Sequence, residues 1–158
     1  MVTRVRRHTA KTGPSTIREN GAGIAGEAER APQAAESGEP VYRVKFILPG
    51  GRSANILVPK SCYILDAALE AGVELPSLCQ QGWCCTCSVR LLEGEVDQSD
   101  SRRFYRADRR AGFALICTGK PRSDLKVKSH ALEDMRAHRI ASGLPVPRGT
   151  TLPRVDTK

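Results

Sequence analysis

Aromatic side chains are scarce, 4% of 158 residues, and the apolar positions concentrate between Val41 and Val127. That scarcity excludes a core running the whole length of the chain, because the flanks are rich in Ala, Gly, Pro, Ser, Glu and Arg and carry no core pattern. The expectation is one compact domain over residues 41–129, a disordered extension over 1–40, and a basic, partly helical extension over 130–158. Long hydrophobic runs are missing too. No stretch approaches the roughly 20 apolar residues of a transmembrane helix, so no membrane span is expected. The arginine-rich start lacks the apolar stretch of a secretory signal, and the six cysteines are not expected to form disulfides without export.

Acidic residues are in deficit. Residues 1–18 hold Arg4, Arg6, Arg7, Lys11 and Arg18 and no acid. This reads as a disordered tail of a cytoplasmic bacterial protein or, in a eukaryote, as a presequence for an organelle matrix or stroma. Basic and acidic side chains number six and five over 1–40, eleven and eight over 41–120, and eight and four over 121–158. The net +8 therefore sits mainly on the domain and its C-terminal tail, which favours acidic proteins, anionic membranes or nucleic acid as partners. Nucleic acid is set aside, because only Phe104 and Tyr105 lie among the arginines and no stacking platform or recognition motif accompanies them. Catalysis is not supported either. His8, His130 and His138 read as surface residues, and the sequence offers no nucleophile–base pairing or phosphate loop.

What is present begins with a strand. Residues 42–48 alternate, Tyr42, Val44, Phe46 and Leu48 on one face against Arg43 and Lys45 on the other, and Ala54 to Val58 alternates again beyond Pro49, Gly50 and Gly51; the pair reads as a hairpin. From Ile64 to Ala71 the spacing of Ile64, Ala67, Ala68 and Ala71 predicts a helix stopped by Gly72. A hairpin followed by a helix opens a compact α+β roll. Further strands are expected at 88–92, 113–117 and 125–127, with an arginine-rich short helix before the second of these. Residues 129–141 are predicted helical, acidic early and basic late as the helix dipole favours, with a thin apolar face of Leu132, Met135 and Ile140. Beyond Gly143 the chain is expected to be extended or disordered.

Four of the cysteines, Cys79, Cys84, Cys87 and Cys117, are spaced C-x4-C-x2-C with the fourth after 29 intervening residues, the ligand pattern of plant-type 2Fe-2S clusters. Two bridged irons need four thiolates; a tight loop can supply three and a strand brought alongside the last. Gly82 would let the loop backbone approach closely, and free loop amides could point at the sulfurs and tune the potential. A structural zinc site is usually built from two C-x2-C pairs, and only Cys84 and Cys87 make one here. Using Cys85 in place of Cys84 breaks the spacing, so Cys85 and Cys62 are spare thiols, read as small buried or half-buried side chains.

The match extends beyond the cysteines. Tyr63-Ile64-Leu65-Asp66-Ala67-Ala68, Leu75-Pro76, Gly94, Val96-Asp97-Gln98-Ser99-Asp100, Gly112, Leu115, Cys117-Thr118, Pro121, Ser123 and Asp124 make residues 42–129 resemble the plant and cyanobacterial 2Fe-2S ferredoxins. The resemblance implies a β-grasp fold, a mixed sheet with one main helix, to which the C-terminal helical extension is added. It also implies a single 2Fe-2S cluster with Cys79 and Cys84 on one iron and Cys87 and Cys117 on the other, and one-electron transfer between redox proteins at about −400 mV. The chain departs from the family at Leu78 and Gln80, where a serine and an arginine usually flank the first ligand. It departs again in charge: typical members are acidic, and this chain has SRRFYRADRR at 101–110. If 102–110 were helical, Arg102, Arg103, Arg106, Arg109 and Arg110 would fall within an arc of roughly 120°. These five are the expected docking face for a redox partner with an acidic surface. The tails allow a second arrangement, an iron-sulfur subunit fixed in a larger redox complex.

Overall fold

Alternating burial in Val41–Ile47 (β1), with Val44 and Phe46 fully buried and Arg43 and Lys45 exposed, is the physical reason this segment forms a strand: one face meets a core and the other meets water. The computed structural model describes residues 38–147; the expected extensions over 1–37 and 148–158, with His8, lie outside the described residues. β1 turns through Pro49–Gly51 and pairs antiparallel with Ser53–Pro59 (β2), Val44 opposite Ile56. The helix Ile64–Glu70 (α1) follows, burying Ile64, Leu65, Ala67 and Ala68 and ending ahead of Gly72 as predicted.

After the cysteine loop come Ser88–Glu93 (β3), Val96–Asp97 (β4), Arg106–Arg110 (α2), Phe113–Leu115 (β5), Lys120–Pro121 (β6), Leu125–Lys128 (β7) and Leu132–Ala141 (α3). The main sheet runs β2-β1-β7-β3-β5, and β4 and β6 form a separate two-stranded ribbon. β1 and β7 are parallel and the other neighbours antiparallel, the mixed five-stranded sheet of a β-grasp fold. Among the described residues no helix is long and apolar enough to cross a membrane.

Three expectations are corrected. The strand at 113–117 stops at Leu115, and Cys117 sits in the turn that follows. The arginine-rich helix covers only 106–110, so Arg102 and Arg103 lie in a turn ahead of it and the five arginines do not share one helical face. The apolar face of α3 is Leu132 and Met135 without Ile140, which is 68% exposed; its place is taken by Arg139, wholly buried. The helix docks rather than projects, since Ala131, Leu132 and Met135 join the same buried cluster as the sheet and α1.

Candidate metal centre

The loop between α1 and β3 carries Cys79, Cys84 and Cys87, and the sheet brings Cys117 to it. β3 and β5 pair Ser88 with Leu115, and one further bond, Ile116 N–H to the Cys87 carbonyl at 3.4 Å, sets Cys87 beside the 116–118 turn. That turn is held from its other side. The first amides of α1 have no partner within their own helix; Ile64 N–H donates to the Gly119 carbonyl and Leu65 N–H to the Ile116 carbonyl, both at 3.0 Å.

Cys84, Cys87 and Cys117 are buried and Cys79 is half-buried. Among these thiols the Cys84 side chain acts on Cys79, and the Cys87 side chain on Cys117. The Cys87 thiol donates to Cys117, which lowers Cys117 to about 7 against an opposing effect of burial; the Gly82 N–H assists. Cys87, as donor and as a buried group, is pushed well above its ordinary range. Burial works to raise Cys79, but the N–H groups of Gln81, Trp83 and Cys84 and the Cys84 side chain outweigh it and bring that thiol below its ordinary value. The Gln81 N–H lies 3.4 Å from Cys79 Sγ. Backbone donors aimed at sulfur stabilise the thiolate, the form that binds metal. Among the described residues no group of three or more Cys, His, Asp or Glu side chains is placed around a single metal ion.

Gly82 makes the approach possible. Its φ is +67°, and a Cβ there would stand 2.5 Å from Thr118 Oγ1 and 2.8 Å from Ser101 Cα. The loop thus lies directly on Ser101 and Thr118, whose hydroxyls are 2.6 Å apart.

Of the two spare thiols, Cys85 is fully buried and pushed up to about 11, chiefly by burial. Cys62 is exposed, contrary to the buried or half-buried position expected for it. All five arginines of the expected docking face are exposed, and Arg103 stacks over the Trp83 ring at 5.5 Å, next to Cys84. Leu78, before Cys79, is 66% exposed. His130 is on the surface, but His138 is not fully so: its ring lies 5.5 Å from that of Phe113 and its Nε2 is 3.6 Å from Asp108 Oδ1. Sequence reasoning missed Asp108 and Arg139 altogether. Both are 0% exposed and ion-paired, and the one available signal was an acid set alone among arginines.

Residues 47–122 match the model of a 2Fe-2S iron-sulfur cluster binding domain. The chain is 38% identical to Ferredoxin-2 of Synechococcus sp. over 96 residues, covering 61% of this chain and 90% of the relative. It is also 38% identical to the chloroplastic Ferredoxin-6 of Zea mays over 95 residues, 60% of this chain and 61% of that one. Among solved structures it resembles Pectocin M2, with 33% identity and a TM-score of 0.56 over 61% of this chain and 35% of the other.

Proposed function

The chain belongs to the 2Fe-2S ferredoxin family, and from that premise we propose that Cys79, Cys84, Cys87 and Cys117 are the four thiolate ligands of its cluster, Cys79 with Cys84 on one iron and Cys87 with Cys117 on the other. The protein is a 2Fe-2S electron carrier serving redox partners. When bound, the cluster supplies reversible uptake of a single electron. The chain's own residues do the rest: the Gln81, Gly82, Trp83 and Cys84 amides offset negative charge on the sulfurs, and the burial of Cys84, Cys87 and Cys117 keeps water away. Cys79 is the ligand nearest to solvent, flanked by exposed Leu78 and half-exposed Trp83. A partner approaching on this edge meets Arg103 over Trp83 and then Arg102, Arg106, Arg109 and Arg110, a surface that suits an acidic protein.

The observation that carries the ligand assignment is that the fold lays the 79–87 loop against the 116–118 turn, with Gly82 on Thr118 and the Cys87 carbonyl accepting from Ile116 N–H. Serine replacement tests it. In the purified, anaerobically reconstituted protein, Ser at position 79, 84, 87 or 117 is expected to remove most of the visible absorption and the EPR signal of the reduced state. Cys62→Ser and Cys85→Ser are expected to keep both. A Cys84→Ser protein that retains its spectrum while Cys85→Ser loses it would overturn the assignment.

A further inference from the structure

We propose that Arg139 of α3 and Asp108 of α2 are a positioning pair for the centre: together they lock the 102–108 segment, and that segment fixes the orientation of two loop peptides whose N–H groups face the cysteine sulfurs. The inference rests on the ligand set proposed above.

The contacts form an unbroken chain. In the peptide joining Gln81 to Gly82, the N–H points at Cys117 and the carbonyl accepts from Arg102 N–H at 3.2 Å. In the next peptide, joining Gly82 to Trp83, the N–H points at Cys79 and the carbonyl accepts from Arg103 N–H at 3.0 Å. Each peptide plane is thus held at its carbonyl by the 102–103 backbone, with its N–H turned to the cysteine side. The 102–103 backbone is itself held by α3. Arg139 Nη2 donates to the Arg103 carbonyl at 2.8 Å and to Asp108 Oδ2 at 2.8 Å, and its Nε lies 3.2 Å from both Asp108 oxygens. Asp108 in turn accepts from Tyr105 N–H at 3.0 Å, and the Arg139 guanidinium stacks over the Tyr105 ring at 5.1 Å.

Stability alone is a poor reason for such a pair. A buried salt bridge costs desolvation that its attraction barely repays, and apolar replacements are often neutral or better. What an apolar pair could not do is grip the Arg103 carbonyl. The guanidinium fork spans carboxylate and carbonyl at once, where an ammonium offers a point charge. Reduction adds one negative charge to the centre, so N–H groups aimed at sulfur favour the reduced state more than the oxidised one. Loosening them must shift the potential to more negative values.

The test compares the full chain with Asp108→Leu/Arg139→Met, which removes both charges, and with Arg139→Lys, which keeps the charge but loses the fork. Both variants are expected to show a more negative reduction potential. Their clusters are expected to decay roughly tenfold faster or more, the penalty typical of lost outer-sphere partners. Amide hydrogen exchange at Arg102 and Arg103 should accelerate in both, with or without cluster. A double variant that folds and keeps the parent's potential and cluster lifetime would overturn the proposal. Should the double variant fail to fold, unchanged potential and unchanged exchange in Arg139→Lys would do so. If the parent itself takes up no cluster, the ligand set fails, and exchange at Arg102 and Arg103 still decides whether Arg139 holds that segment.

Discussion

At the scale of single residues, two glycines with the same backbone sign carry different burdens. Gly82 and Gly50 have φ of +67° and +75°, but a Cβ at Gly50 meets nothing within 4 Å, whereas at Gly82 it collides with Thr118 and the Ser101 backbone. Forcing alanine into the left-handed region costs about 1 kcal/mol in either case. Only at Gly82 must the loop also retreat from Ser101 and Thr118, carrying the amides that face Cys79 and Cys117 with it. Gly50→Ala is therefore expected to lower stability by about 1 kcal/mol and leave the cluster spectrum unaltered. Gly82→Ala is expected to lose most of its cluster within the time of purification. Anaerobic iron and sulfide analysis of the two proteins separates these outcomes, and a Gly82→Ala protein with full cluster content would show that the close approach is dispensable.

Among the elements, the β4–β6 ribbon is the piece with the least backbone pairing, two residues on each side. Side chains make up the difference. Asp97 accepts from Ser99 N–H at 3.0 Å and pairs with Arg122, and Lys120 pairs with Asp100 at 2.7 Å. The Ser99 backbone, then Arg122, hold the Asp97 carboxyl below the usual carboxylate range. A carboxyl whose folded pKa is depressed contributes in full above its unfolded value of about 3.9 and loses that contribution only as pH falls toward the folded value. Asp97→Asn should consequently cost about 0.5–1 kcal/mol, and the difference from the parent in urea unfolding should stay flat from about pH 5 to 9. A difference that grows with pH across that window would assign the effect to another group.

The same scale shows what the sequence made legible. The hairpin and α1 were readable because alternation and helical spacing are local. β4 and β6 were not, since two residues have no period. Cys117 was expected on a strand because FALIC is an apolar run; it sits in a turn because the chain leaves the ladder to fill the first amides of α1, a bond to residues some fifty positions earlier. α2 starts late for a similar reason, the Arg102 and Arg103 amides being spent on the Gln81 and Gly82 carbonyls. Arg139 could be buried only because Asp108, 31 positions earlier, waits for it, and no reading of one helix face could find that. The cysteine spacing could be read despite these surprises because a shared cluster would constrain four thiolates together, whatever elements deliver them.

For the whole molecule the arrangement of charge matters more than its total. On the sheet and ribbon, Lys126, Lys120 and Arg122 are matched by Glu93, Asp100 and Asp97. Arg102, Arg103, Arg106, Arg109 and Arg110 are exposed, and none is ion-paired with a carboxylate of the described residues. Arg43, Lys45, Arg52, Lys60 and Lys128 are likewise exposed and outside the ion pairs of the described residues, but the five arginines belong to the segment that Arg103 joins to Trp83, close in sequence to none of the sheet cations and on the side of the cysteine loop, which is where steering is useful to an electron carrier. Screening over a Debye length of about 10 Å at 0.1 M salt reaches such a surface fully. Electron transfer from the reduced protein to an acidic acceptor protein should fall steeply as salt rises. Arg106→Gln/Arg109→Gln/Arg110→Gln, which spares the amides of Arg102 and Arg103, should slow it about tenfold at low salt and converge with the parent near 0.5 M, at the low end of typical steering effects. A small neutral acceptor serves as control, because its rate depends on the cluster and not on the field. Equal rates for parent and variant with the acidic acceptor at low salt would mean that partners approach from elsewhere, and that the arginines beside Trp83 only keep the protein in solution.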